Sequence, residues 1–169
     1  MSDTPIFETE RLVFRPFTPD DFDLLAELHS DPEVQRYIGG AWTREALQGR
    51  LDSYVAEQST YGFSKWKAYS RDGTFIGRVG VSYWDRTGEF ELGYSLKRAA
   101  WGQGYATEAS AALVRRFFDV TDEARLHGFT DVANIGSRRV LERIGMAFLG
   151  EEDLGFGGMS AVYRLDRPA

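Results

Sequence analysis

The spacing of apolar positions changes character along this chain, and each change predicts an element. Leu12-Val13-Phe14-Arg15 reads as a first strand. Thr18-Pro19-Asp20-Asp21 then supplies a threonine cap, a proline for a first turn and acids for the positive end of a helix dipole, and Leu24, Leu25 and Leu28 give that helix its apolar side. Asp31-Pro32-Glu33 repeats the start signal for a short second helix ending near Gly39-Gly40. Ala46, Leu47, Leu51, Tyr54 and Val55 follow Thr43 at the spacing of a third. The middle of the chain turns to aromatic and β-branched runs: Trp66 to Tyr69, Phe75 to Trp84 and Phe90 to Leu96. Asp72-Gly73 and Asp85-Arg86-Thr87-Gly88 separate them as turns, which predicts an antiparallel meander.

Helical spacing returns with Ala106, Ala109, Leu113 and Phe117. A strand from about Leu126 to Val132 follows, then a helix from about Ile135 to Ile144 that stops at Gly145. Ala147 to Gly150 and Ala161 to Leu165 close the chain as strands. The order is β-α-α-α-β-β-β-α-β-α-β-β. It predicts a mixed α/β (α+β) fold around one mostly antiparallel sheet of about seven strands, with helices on both faces. No repeat or linker divides residues 1–169, so a single domain is expected.

Composition narrows the chemistry. With no cysteine there is no disulfide, thiolate metal site or cysteine nucleophile, and His29 and His127 alone leave little for a multi-histidine metal centre. The start, MSDTPIFETE, has neither a basic stretch nor an apolar run, and no segment is long and apolar enough to cross a bilayer; a cytoplasmic protein is expected. A formal net charge of −6 argues against nucleic acid as a partner and suits a cationic one, such as an amine.

The stretch RAAWGQGYATE, Arg98 to Glu108, carries the functional signal. Gly102 and Gly104 by themselves mark only a turn. Their position between an expected strand and an expected helix aims free backbone N–H groups and a helix dipole at one spot, which is an anion site suited to phosphate. The Gly-Lys-Ser/Thr ending of a P-loop is absent, because Tyr105-Ala106 follows Gly104. The dinucleotide fingerprint fails as well: residue 107 is Thr, and the preceding strands are hairpins.

Trp101-Gly102-Gln103-Gly104-Tyr105-Ala106-Thr107-Glu108-Ala109 resembles the acetyl-CoA pyrophosphate loop of the GNAT N-acetyltransferase superfamily. The similarity is greatest to the branch that includes the ribosomal-protein N-terminal (alanine/serine) acetyltransferases. Three further blocks match in order: Thr9-Glu10-Arg11-Leu12 through Arg15-Pro16-Phe17, Glu91-Leu92-Gly93-Tyr94, and Asn134-Ile135-Gly136-Ser137 through Val140-Leu141-Glu142-Arg143-Ile144-Gly145-Met146. The resemblance implies that backbone amides of Gly102, Gln103, Gly104, Tyr105, Ala106 and Thr107 hold the pyrophosphate of acetyl-CoA. It also implies that the strand end near Leu96 pairs with the pantetheine arm and that Asn134 touches that arm. One of Arg138, Arg139 and Arg143, with Arg143 favoured, would meet the 3′-phosphate. Trp101 stands where the family usually has Arg or Gln.

Acetyl transfer to an amine needs a base for the amine and a proton for the departing thiolate. Glu89, Glu91, Gly93 and Ser95 share one face of their strand, and Phe90, Leu92, Tyr94 and Leu96 the other. The resemblance sets Glu91 nearer the thioester than Glu89, which makes it the base candidate. Ser137 would lie close to the sulfur and is the general-acid candidate, since Leu141 stands where many relatives carry a tyrosine. Asn134 also reads as a helix cap, and His127 as a strand histidine with no part in catalysis.

In relatives the segment from about Phe22 to Tyr61 and the loop Glu151 to Met159 wall the acceptor. Here they are acidic in places, with Asp20, Asp21, Asp23, Asp31, Glu33, Glu151, Glu152 and Asp153; acids near the groove would favour a cationic amine, whereas a solvated surface is the commoner reason for such acids. The acceptor is then a protein N-terminal α-amine or a small-molecule amine, acetylated directly because no cysteine can carry an acyl group. A homodimer is compatible with the resemblance. The competing reading is a non-catalytic acyl-CoA-binding or regulatory module of the same fold.

Overall fold

Eight strands form one sheet in the order β1-β2-β3-β4-β5-β6-β8-β7 in the computed structural model, which describes residues 4–169. Of the MSDTPIFETE stretch, Met1 to Asp3 lie outside the described residues. The strands are β1 (Phe7–Glu8), β2 (Leu12–Pro16), β3 (Lys65–Ser70), β4 (Phe75–Trp84), β5 (Glu89–Leu96), β6 (Arg125–Asp131), β7 (Ala147–Asp153) and β8 (Met159–Asp166). The helices are α1 (Phe22–His29), α2 (Pro32–Gln35), α3 (Arg44–Tyr61), α4 (Tyr105–Val120) and α5 (Ile135–Arg143). Every neighbouring pair of strands is antiparallel except β5 and β6.

The main core lies between the sheet and α4. Leu12, Phe14, Trp66, Leu92, Leu113, Phe117, Leu126 and Tyr163 are all sealed from solvent there. A second cluster on the opposite face joins Phe17, Leu25, Leu47, Leu51 and Tyr54, where α1 packs on α3. Helices therefore cover both faces, as the apolar pattern predicts.

Four details depart from the sequence reading. An eighth strand, β1, adds a two-residue ladder, Phe7↔Phe14 and Glu8↔Val13, too short to show as a pattern. Thr18 does not cap α1. The helix begins one turn later after Asp21, whose Oδ2 accepts hydrogen bonds from Thr18 N–H (2.7 Å) and Thr18 Oγ1 (3.1 Å) and pairs with Lys67 (3.0 Å). A short 3-10 turn, Arg98–Ala100, separates β5 from the glycine loop. The closing strands are longer than expected, so Glu151, Glu152, Asp153 and Met159 lie in β7 and β8, and residues 154–158 alone form the connecting loop. The caps at Asp31, Thr43 and Asn134 are as expected, each accepting a backbone N–H of its helix.

Among the described residues no helix is long and apolar enough to cross a membrane.

Candidate active site

The parallel pair leaves the sheet open. β5 and β6 are in register only from Phe90 to Leu92 against Leu126 to Gly128. β5 then runs on through Gly93, Tyr94, Ser95 and Leu96 with β4 on one side and no strand among the described residues on the other. A cavity of about 1080 Å³ passes along this opening. From the α4–α5 side it is lined by Gly102, Gly104, Tyr105, Ala106, Thr107, Asn134, Ser137 and Arg143; from the α1–α3 side by Arg50, Glu57, Lys65, Arg78 and Glu91.

The loop side is built by two left-handed glycines, Gly102 at φ 72° and Gly104 at φ 79°. A side chain would be strained at either position. Glu108 N–H makes the first helical bond, to Gly104 O, so the N–H groups of Tyr105, Ala106 and Thr107 precede the helical ladder. A clamp from the chain start fixes this turn. The Arg11 guanidinium reaches Glu108 Oε1 (2.7 Å) and Gln103 O (2.8 Å) and lies over the Tyr105 ring, 4.5 Å from its centre. Thr9 Oγ1 and Arg11 N–H both donate to Glu108 Oε2, at 2.6 and 3.0 Å. Burial pushes the Glu108 carboxyl up, but the bonds from Thr9 and Arg11 outweigh it and hold the group below the usual carboxylate range. In a trans peptide the carbonyl and the next N–H point opposite ways, so a carbonyl of Gln103 held by Arg11 turns the Gly104 N–H away from Arg11.

Eleven of the twelve residues expected at the site, Gln103 excepted, line this cavity. The Gln103 amide donates to Ala99 O at 2.9 Å, and its carbonyl faces Arg11; it shapes the loop from behind. Trp101 Nε1 donates to Leu96 O at 2.9 Å, bracing the corner between β5 and the loop. That engages the carbonyl at the strand end and leaves Gly93 to Ser95, among the described residues, as the stretch without a strand partner on the open side. Asn134 Oδ1 accepts Ser137 N–H at 3.2 Å, so the cap and the cavity wall are one residue. Of the arginines on α5, Arg138 turns away to the Tyr163 hydroxyl (3.1 Å) and Val132 O (3.1 Å), while Arg139 and Arg143 face the cavity.

On the other wall the cross-strand register places Lys65, Gly80 and Gly93 in one row and Ser82 with Glu91 in the next. Lys65 Nζ bonds Glu91 Oε1 at 2.6 Å and Ser82 Oγ at 3.1 Å. The second carboxylate oxygen, Glu91 Oε2, stands 3.1 Å from where a Cβ on Gly93 would be, at the first open residue of β5. Glu57 projects from α3 into the same wall and accepts from Ser64 Oγ at 3.3 Å; burial raises its carboxyl above the ordinary value. Glu89 lies outside the cavity, on His127 (3.1 Å) and Arg125 (3.7 Å). Across the opening, the Tyr94 hydroxyl donates to Ser137 Oγ at 3.0 Å, and burial holds the phenol above its usual value.

Glu57, Lys65, Arg50 and Arg78 were not assigned from sequence, and neither was the bond that Tyr94 makes to Ser137, the expected general acid. One signal for the α3 residues was available: Arg50, Ser53 and Glu57 recur at helical spacing on a side of α3 distinct from Leu47 and Leu51. Of the two readings of the sequence's acids, the surface one fits most of them. Asp21 is paired with Lys67, Asp31 with Arg98 and Glu152 with Arg86, and of the acids read from the acceptor segments Glu33 alone lines the cavity.

Comparison with known proteins identifies the family. The family model of the acetyltransferase (GNAT) domain matches residues 11–147. The chain is 30% identical over 132 residues to the uncharacterized protein YkkB of Bacillus subtilis, covering 76% of this chain and 77% of that one. It is 28% identical over 158 residues to the FsC-acetyl coenzyme A-N(2)-transacetylase of Aspergillus fumigatus, covering 84% of this chain and 65% of that one. The crystal structure of an acetyltransferase from Agrobacterium tumefaciens superposes with a TM-score of 0.84 at 26% identity, covering 98% and 96% of the two chains. The chain therefore belongs to the GNAT acetyltransferases and is an acetyl-CoA-dependent N-acetyltransferase.

Proposed function

We propose that the chain acts as one cytoplasmic domain that acetylates a primary amine by direct transfer, the amine being a protein N-terminal α-amine or that of a small molecule. The observation that carries this reading is the cavity that joins the glycine loop to the Glu57–Lys65–Glu91 cluster along the open edge of β5. The loop N–H groups, Asn134 and Arg143 fit the cofactor's phosphates and arm, and acetyl-CoA supplies the activated acetyl group.

The residues of the chain handle protons and orientation. Glu91 Oε2, at the first open residue of β5, accepts a proton from the incoming ammonium while Lys65 holds the other oxygen. Glu57, with its raised pKa, is a better match to an amine than an ordinary carboxylate and receives the proton in turn. Ser137 gives its hydroxyl proton to the leaving thiolate and regains one from Tyr94 through their 3.0 Å bond. Amine and thioester become amide and thiol: of the two protons that the ammonium nitrogen loses, the first passes by Glu91 and Glu57 to solvent, and the second, lost from the tetrahedral intermediate, replaces the one that Tyr94 gave up. An α-amine, near pKa 8, asks less of such a base than a lysine near 10.4.

Two measurements test this reading. Acetyl-CoA at about 100 times its dissociation constant should stabilise the protein by roughly 2.7 kcal/mol, where NAD and ATP do not. Glu91→Gln and Ser137→Ala should each lower kcat about 10²-fold or more, with acetyl-CoA affinity retained. Full turnover in both variants would remove the catalytic assignment. Acetyl-CoA binding without CoA release on any amine would favour a non-catalytic binding module.

A further inference from the structure

The α1–α3 half of the cavity contains two arginines that, among the described residues, no carboxylate bonds. Arg78 on β4 is only 7% exposed. Its Nε donates to His29 Nε2 at 3.1 Å, and among the described residues its two terminal nitrogens bond no protein atom. Arg50 on α3 lies 3.8 Å over the Trp42 ring centre, beside the Tyr54 hydroxyl. His29 sits against both. Its Nδ1 bonds Gln35 Oε1 at 2.7 Å, and burial followed by the nearby Arg78 keeps the ring neutral.

The carboxylates lining the cavity are occupied elsewhere. Glu91 is on Lys65, Glu33 is 3.9 Å from Arg36, Glu57 is on Ser64, and Asp131 accepts Ala133 N–H beside α5. Buried guanidinium groups are normally paired. A buried guanidinium and a half-buried one beside it, with no carboxylate among the described residues bonded to either and Glu91 acting on Arg50 only through space, repel each other and have lost part of their hydration. Their planar forks suit the two oxygens of a carboxylate or a phosphate.

Register gives the distance. Arg78, Gly80 and Ser82 alternate onto one face of β4, opposite Ser95, Gly93 and Glu91 of β5. At about 3.4 Å per residue, Arg78 lies roughly 7 Å along the strand from Gly80 and roughly 14 Å from Ser82. An extended chain of about two to four residues spans that interval. Resting on the acetyl-transfer reading above, we propose that the acceptor carries an oxyanion as well as its amine. The oxyanion seats on Arg50 and Arg78 while the amine reaches Glu57 and Glu91. The protein is acidic overall, yet its acceptor is selected for negative charge.

The test compares acceptors that share one amine. Trialanine with a free carboxylate is set against trialanine amide, and aminobutyl phosphate against aminobutanol. The charged member of at least one pair should be preferred about tenfold in kcat/KM, chiefly through KM, as expected for charge-assisted hydrogen bonds. The pair that shows the preference identifies carboxylate or phosphate as the group read. Arg50→Met should shrink the preference below about twofold, and Arg50→Lys should restore part of it. In parallel, calorimetry on the CoA-bound wild type measures N-acetyl-trialanine acid against its amide, and N-acetylaminobutyl phosphate against N-acetylaminobutanol, none of which needs turnover. Charged and neutral acceptors acetylated alike would overturn the anion site and leave acetyl transfer standing. Charge-selective binding with no transfer to any acceptor would support the site and sink the transfer reading. Equal binding within both ligand pairs overturns the proposal outright.

Discussion

Glu57 and Glu91 stand near the same lysine on different elements, and on the proposed mechanism their surroundings divide the labour. Glu91 is committed to Lys65 at 2.6 Å, whereas Glu57 has only hydroxyl partners and a carboxyl raised by burial. Glu57→Gln should therefore remove the acidic limb of the kcat/KM profile and slow turnover by about 10²-fold. A profile with its limb intact would return the proton to Glu91 alone. His29 makes a separate prediction. Its pKa is lowered from 6.5 to about 3 by burial and then by Arg78, with Arg50 adding to the effect and Gln35 opposing it. Its neutral form is the folded one, so the stability it supports is complete above pH 6.5 and is lost as pH falls from there toward 3. At pH 4.5 the loss is about 2.7 kcal/mol, and denaturant titrations should show the gap between wild type and His29→Asn narrowing by about that much relative to pH 7.5. A gap that stays constant between the two pH values would mean that the ring is protonated in the native state.

At the scale of elements, the parts legible in the sequence are those with a local physical cause. The caps at Asp31, Thr43 and Asn134, the turn at Asp72-Gly73 and the glycine loop all fall where their residues place them, because each is decided within a few positions. Thr18 misled because a competing acceptor, Asp21, lies three residues on and its Oδ2 takes both the Thr18 N–H and the hydroxyl. Lys65 was invisible for another reason. Its partner Glu91 is 26 positions away, and the pair meets only across three strands in register. The clamp of Arg11 on Glu108 spans 97 positions and escaped in the same way, although both residues stood in recognised blocks. Arg11→Ala or Glu108→Gln should free the Gln103 peptide and weaken acetyl-CoA binding about tenfold, with acceptor KM unchanged. A loss of acceptor affinity at constant acetyl-CoA affinity would assign the clamp to the opposite wall.

Across the whole molecule, the β5–β6 seam divides the sheet into a five-strand leaf and a three-strand leaf held in register by three residue pairs. The larger leaf carries Lys65, Glu91 and Arg78, with Arg50 and Glu57 on α3 beside it; the smaller leads through β6 into α5 and Ser137. The glycine loop and α4 connect them. On the proposed mechanism transfer chemistry draws on both leaves at once, and a pantetheine arm laid along Gly93 to Ser95 would serve as the strand that the seam lacks. In hydrogen exchange, the amides of this stretch should open readily in the free protein and slow about tenfold or more when CoA is bound. The donor would then be both reagent and mortar: each turnover consumes the acetyl group, and each departure of CoA unlaces the sheet where the next amine must enter.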